Sequence, residues 1–497
     1  MPDHCCHNPV NRRRLVLGAA VSLAGTPLSG CSTNPATGRD SFTGFYSIND
    51  DIRLGQQEYP NLIRAFGGAY DNMRLQSYAG HVGRSLAAHS ELPDLPWEFT
   101  VLNTPIVNAL ALPGGKIAIT RGLLAVASNE AEVAGVLAHE IGHVTARHTA
   151  QRQSRGILAN LGLAVLGVAT QNSQVVQLGQ TVAAGYLQGF SRSQELQSDT
   201  LGIRYMSRAG YDPDAMATFL SSLREHSQLE ARLQGLDEGT VDQRNMMASH
   251  PRTIERVRQA QAAANATPVS DPRLDREEYL NAINGMVFGD DPDQGYVRGR
   301  DFLHAQLRFG FTVPDGFVLR NGTSQVTAED ANGAAVVFDS ATVQRSRSLT
   351  DYIQNEWTSG VSLQNVETIS INGIPTATGQ TRLNTQSGVA DARVVAFQWD
   401  GAQVYRFLFL SPARQARIYN AAFRQTTYSF RRLSNEEAGA LKPLRIVTIT
   451  GQASYTVSAL SSTLPYDDLN DAWFRMLNDL GPGDPIPVGR SLKVVAS

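Results

Sequence analysis

The ten residues Val136–Thr145, VLAHEIGHVT, constrain this chain more than any other stretch, because they set two histidines four positions apart around a glutamate. On an α-helix, residues four apart lie one above the other. His139 and His143 therefore converge on one point, at a spacing suited to nitrogen bonds of about 2.0–2.1 Å to Zn2+. Glu140 lies roughly 100° round the helix, an offset that suits a base acting on water better than a third ligand. The helix is legible in its own right. Asn129 as N-cap, with Glu132 three positions on, makes a capping-box pattern. Val133, Val136, Leu137, Ile141 and Val144 add an apolar stripe, which predicts one buried helix of about six turns.

His-Glu-x-x-His alone is only moderately specific, and a metal needs more ligands. The arrangement with glycine at 146 and a third histidine at 149 is excluded by Ala146 and Thr149, while His148 is out of phase and is expected to pack or cap the helix end. A better candidate lies about fifty residues on, in FSRSQELQSDTLGIRYMSRAGYDP. This reads as a second helix, ended by Gly210 and followed by Asp212-Pro213 opening a third. Glu195 and Asp199 stand one turn apart on it, so Glu195 can reach the metal while Asp199 supports the ligands beside it. Two neutral imidazoles and one carboxylate leave a fourth position for water, which is a catalytic rather than a structural arrangement.

HEIGHVTARH, the later ELQSD and the preceding NALALPGGKIAITRGLL together resemble the M48 family of gluzincin metallopeptidases over roughly residues 46–266. Within it the likeness is to periplasmic, membrane-associated members that police outer-membrane protein assembly. The resemblance implies one Zn2+ per chain on His139, His143 and Glu195, Glu140 as catalytic base, and Asp199 as a proton donor or a partner supporting the ligands. SHPRTIERV matches a further family segment. By that match His250 is either a removable fourth ligand or a hydrogen-bond donor to the reacting carbonyl, and Arg256 orients it or stabilises developing negative charge. Glu140 takes a proton from water and passes it to the leaving amine.

The substrate is expected to bind extended. GGKIAIT, Gly114–Thr120, reads as a strand beside the active-site helix, and an edge strand there, including Gly114, Gly115 and Ile117, can pair with a peptide backbone. Such pairing is poorly selective for sequence, which suits proteolysis of unfolded chains. GILANLGLAVLGVA, Gly156–Ala169, is apolar but too short to span a membrane and is expected to pack inside the fold.

The rest of the chain places this unit. Arg12–Arg14, the short apolar run LVLGAAVSLAGTPL and LSGC at Leu28–Cys31 read as a signal peptide over residues 1–30, and the ending resembles a bacterial lipobox with Cys31 as the lipidated residue. NRRRLVL also resembles a twin-arginine signal, so the export route stays open between the two systems. The other cysteines, Cys5 and Cys6, fall within the segment to be removed, so the mature chain forms no internal disulfide. Ser32 after the anchor, with no aspartate there, resembles signals that sort to the periplasmic face of the outer membrane. A net charge of −3 gives no electrostatic footprint for nucleic acid.

The expected fold is multidomain. A tether at 31–45 leads to a mainly α-helical gluzincin-type peptidase domain at 46–270 and a linker at 271–299. An α+β domain follows at 300–435, with hairpin turns at Asn332-Gly333, Asn372-Gly373 and Asp400-Gly401 and a helix opened by Ser411 and Pro412. A strand-helix-helix-strand unit at 443–497 resembles a LysM module, with peptidoglycan as a further partner, although GQASYT stands where that module usually has Gly-Asp-Thr. The activity implied is zinc-dependent endopeptidase action on misfolded or unassembled envelope proteins. Two rivals are an assembly factor or chaperone with a latent peptidase, and a peptidoglycan-associated scaffold.

Overall fold

The computed structural model describes residues 31–43, 46–152, 189–233, 235, 250, 254–322, 325–343, 348–385 and 388–497. The apolar run Gly156–Ala169 lies outside them. Residues 31–45, expected as a bare tether, include a short hairpin of β1 (Cys31–Thr33) and β2 (Asp40–Phe42). Buried Asn34 in its turn donates to the Ala146 carbonyl, which ties the hairpin to the end of the histidine helix.

Local signals start each helix of the N-terminal half. Ser47 and Asp50 cap α1 (Ile48–Ala65) reciprocally, and Asn72 caps α2 (Met73–Ala87). Three strands follow: β3 (Glu98–Leu102), β4 (Ala109–Leu112) and β5 (Lys116–Thr120). The expectation for Gly114–Thr120 is corrected here. β5 is the central strand, parallel to β3 and antiparallel to β4, so both its edges are already paired and β4 is the edge strand on that side. Gly114 and Gly115 are turn residues with φ of 75° and 86°, and a Cβ on Gly114 would come within 2.4 Å of Ile52. Ile117 is fully buried, and its carbonyl accepts from Tyr59.

Thr120 then caps α3 (Arg121–Val126), and Asn129 caps α4 (Glu130–Thr145). At 16 residues, α4 has about four and a half turns rather than six. The Glu132 side chain reaches past Asn129 to the Ser128 amide, so the capping box is not reciprocal. Helices α5 (Arg192–Arg208) and α6 (Ala215–Leu233) pack against α4, and α7 (Ile254–Asn265) packs on α5 and α6.

The expected linker is built into the core. Residues 271–299 contain α8 (Arg276–Ile283), β6 (Val287–Phe288) and β7 (Tyr296–Arg298), with Tyr279 and Leu280 fully buried. Beyond it β7 joins β8 (Asp301–His304), β9 (Phe309–Thr312) and β17 (Arg431–Arg432) in a four-stranded sheet. A seven-stranded antiparallel sheet carries a second, Phe-rich core. Its strands are β10 (Val318–Asn321), β11 (Val326–Glu329), β12 (Ala335–Thr342), β13 (Gln364–Ile371), β14 (Ile374–Thr385), β15 (Gly388–Asp400) and β16 (Gln403–Pro412). Asn372 and Gly373 both have positive φ, as a two-residue type I′ hairpin requires. Helix α9 (Leu349–Asp351) is a single turn. Ser411 and Pro412 do not open a helix: they end β16, and α10 (Ala416–Ser429) begins four residues later, because pairing with β15 holds that stretch extended. A further turn, α11 (Asn435–Ala440), leads to the C-terminal unit.

That unit has the strand-helix-helix-strand order: β18 (Leu444–Thr450), α12 (Val457–Ser461), α13 (Asn470–Asn478) and β19 (Ser491–Ala496). It is not separate. β18 pairs with β6, and Trp473, Phe474, Leu477 and Leu492 share one apolar core with Leu123, Leu137 and Phe219. Buried Lys493 donates to the carbonyls of Ala125, Val126 and Ala127 at 2.7–3.3 Å, where α3 runs out of hydrogen-bond partners. Burial, reinforced by Arg276, pushes this ammonium down to about 7, against roughly 10.4 in an unfolded chain. Between those values the unfolded state binds the extra proton, so stability rises with pH. In urea titrations Lys493→Met is expected to be about 1–3 kcal/mol less stable than the parent at pH 9, because the carbonyls at the end of α3 lose their donor. The gap should narrow toward pH 7; a constant gap would mean an ordinary ammonium.

Candidate active site

Three separate stretches deliver the site. α4 presents His139, Glu140 and His143 from adjacent turns, α5 presents Glu195 and Asp199, and His250 with Arg256 of α7 closes the far side; all are buried. His139 Nε2 lies 3.0 Å from His143 Nε2 and 3.2 Å from His250 Nδ1. The Glu195 carboxylate lies 3.5 Å from His139, 3.4 Å from His143 and 3.0 Å from His250. One donor atom from each of the four residues falls within 4.8 Å of the others. A tetrahedral ion with bonds of about 2.0–2.1 Å requires donors about 3.3 Å apart, so these residues fit Zn2+. Two close-set imidazole nitrogens also repel unless a cation lies between them.

The imidazoles are held from behind. Asp199 Oδ1 accepts from His139 Nδ1 at 2.8 Å, which turns the lone pair of Nε2 toward the other donors. His148, expected to pack or cap the helix end, supports the other ligand. Its Nδ1 lies 2.9 Å from His143 Nδ1, and its Nε2 donates to Gln197 Oε1 at 2.7 Å. The relay fixes one set of tautomers: Gln197 accepts from His148, whose Nδ1 accepts from His143, leaving His143 Nε2 free to bind. Phe190 stacks on the His143 ring at 4.0 Å. Sequence reading missed this relay, and its one trace was the histidine five positions after His143. Losing such a support typically weakens metal binding by about 10–100-fold. Competition with a zinc-sensitive dye is expected to show that loss for His148→Ala; unchanged affinity would make His148 a packing residue.

Arg256 acts on charge. It grips Asp199 with two nitrogens, at 2.8 and 2.6 Å, and places the third 2.9 Å from Glu195. Burial works against the Asp199 carboxylate, but Arg256 and His139 outweigh it and hold Asp199 down at about 2. Burial likewise opposes the charged form of Glu195, which His250, His139 and His143 nevertheless keep well below the usual carboxylate range. Burial holds His143 well below its ordinary value. His139 feels the same burial, but the Asp199 carboxylate lifts it to about 9.

Glu140 is 2% exposed, with one oxygen 3.3 Å from His250 Nε2 and the other without a hydrogen-bond partner among the described residues. It borders a small, mostly apolar cavity with Ala109 of β4 and Met216 and Phe219 of α6. Gly114, Gly115 and Ile117 take no part in the cluster. Ala109, at the start of the edge strand β4, reaches this cavity instead.

Residues 74–264 match the model of peptidase family M48. Over 197 residues the chain is 34% identical to mitochondrial metalloendopeptidase OMA1 of Arabidopsis thaliana, covering 36% of this chain and 40% of that protein. It is 31% identical over 196 residues to the beta-barrel assembly-enhancing protease of Escherichia coli, covering 37% and 40%. A fission yeast OMA1 (Schizosaccharomyces pombe) is 30% identical over 221 residues, covering 42% and 63%. The chain thus spans about two-fifths of the length of the first two relatives. The donor cluster, its supporting carboxylate and Glu140 all lie inside the matched segment, and over that segment the chain is similar to peptidase family M48.

Proposed function

We propose that this chain is a zinc-dependent endopeptidase that cuts misfolded or unassembled proteins of the bacterial cell envelope. The observation that carries the reading is the buried His139–His143–Glu195 donor set with the free Glu140 oxygen beside it. When bound, zinc supplies Lewis acidity, which polarises a peptide carbonyl and brings the pKa of water to about 7. The chain's own residues do the rest. Glu140 accepts the proton from water at its unpartnered oxygen and delivers it to the leaving amine. Asp199 and His148 hold the two imidazoles, and Arg256 keeps Asp199 and Glu195 ionised. The edge of β4, not β5, carries the extended substrate past Glu140.

Envelope proteins as substrates are supported by the relatives named for enhancing β-barrel assembly. The signal-like residues 1–30 and Cys31 support a periplasmic protein with a lipid anchor, seated in the inner leaflet of the outer membrane. No helix among the described residues is long and apolar enough to cross a membrane.

One observation favours a latent form of this activity. His250 Nδ1 stands within the donor set and its Nε2 faces Glu140, so it fills the corner that a catalytic site keeps open. Activity then requires His250 to withdraw. The test compares zinc content and cleavage of an unfolded protein for the parent, Glu195→Ala and His250→Ala. One zinc per chain and cleavage are expected in the parent, with both lost in Glu195→Ala. Faster cleavage in His250→Ala supports latency, and slower cleavage makes His250 a catalytic partner. A Glu195→Ala protein that retains zinc and still cuts would refute the assignment.

A further inference from the structure

The segment from Pro105 to Leu112 passes three cavities in chain order. Leu110–Leu112 border one that also touches Phe190 and His250, and Ala109 borders the cavity at Glu140. Pro105–Val107 border a third of about 430 Å3, within the range of ligand pockets. Helix α6 repeats the order on the facing wall. Met216 to Leu223 line the catalytic cavity, and His226, Ser227 and Glu230, starting one turn later, line the third. Helix α3 also borders both, with Leu123 at the first and Gly122 and Ala125 at the second. Three elements thus run from one cavity to the other. At 1.5 Å per residue, His226 to Glu230 lie about 10–15 Å along α6 from Leu220, a span an extended peptide covers in about three or four residues.

The third cavity is completed from the C-terminal unit. Tyr466 and Trp473 stack with centroids 4.1 Å apart, and His226 meets Trp473 edge-on at 5.1 Å. Two of the bordering residues keep a buried N–H without a partner among the described residues: Arg121 Nη2, on a side chain 1% exposed, and Trp473 Nε1, 2% exposed. Buried donors without acceptors are rare enough to need a reason. The stacked Tyr466–Trp473 ledge suits a bulky apolar side chain.

Building on the peptidase reading above, we infer that this cavity is a remote subsite for the substrate peptide. It lies three or four residues from the bond that is cut, and Tyr466 and Trp473 select the side chain there. The C-terminal unit is then a specificity element of the peptidase. The probes are decapeptides that carry Phe or Gly at single positions up to five residues either side of the cut bond. In the parent, Phe is expected to be favoured over Gly about tenfold in kcat/KM at one position three or four residues out. Ile106→Trp fills the cavity mouth from a residue already 52% exposed, so it leaves the core intact, and Tyr466→Ala removes half the ledge. Both variants should bring that preference close to one. The same peptides are bound to Glu140→Gln protein, with and without Ile106→Trp, and read by fluorescence anisotropy. If the parent cleaves no peptide, the peptidase reading falls and the binding series alone decides the subsite. The inference is overturned if no distant position discriminates, or if the preference survives both variants.

Discussion

Glu140→Gln is expected to keep its zinc and lose turnover, by about 10²–10⁴-fold in kcat. Glutamine preserves the shape of the side chain and can still hydrogen-bond, but it cannot take a proton from water. The metal donors are untouched, because Glu140 is not among them: its nearest cluster contact is His250, at 3.3 Å. Zinc content by mass spectrometry, read beside peptide turnover, separates loss of the base from loss of the metal. Undiminished cleavage by this variant would remove the general base from the mechanism. Loss of zinc would make Glu140 a ligand.

Arg256→Met is expected to cost the most stability. The guanidinium is 5% exposed and is paired with Asp199 and Glu195, both also buried. Methionine fills much of the space but leaves two buried carboxylates without that countercharge, and breaking a buried pair in this way costs about 3–5 kcal/mol. The loss should be larger in metal-free protein, since a bound cation neutralises part of the same charge, and zinc should restore some of it. Urea unfolding with and without chelator measures both. Arg256→Lys is expected to fall between, keeping the charge but not the two-pronged grip on Asp199. A loss below about 1 kcal/mol without metal would show that the two carboxylates do not depend on Arg256.

The part of the site legible in sequence is the part set by helical repeat. His139 with His143, and Glu195 with Asp199, are each one turn apart, so each pair had to share a face whatever else the chain did. His148 escaped because its place depends on a break in the helix: Arg147 takes a left-handed φ of 55°, and the chain beyond α4 turns His148 back toward His143. Arg256 was assigned to charge, but its partners lie on α5, 57 and 61 positions back in the chain, and no local pattern names them. The strand in GGKIAIT was readable, but its rank in the sheet was not, because a parallel pairing with Glu98–Leu102 decides it. The same limit hid the fate of residues 271–299 and of the C-terminal unit. Their turn-rich composition suggested breaks between units, while the burial of Tyr279 and the pairing of β18 with β6 depend on partners far along the chain.

Lys493 reaches carbonyls 366 to 368 positions earlier in the chain. A growing chain therefore carries the His-Glu-x-x-His helix long before the strand that seals its neighbour has been made. Contacts so distant close slowly, and a product cut short before β19 would keep apolar residues of the peptidase core open to water. Under the function proposed above, such a delay leaves a half-made copy resembling its own substrate.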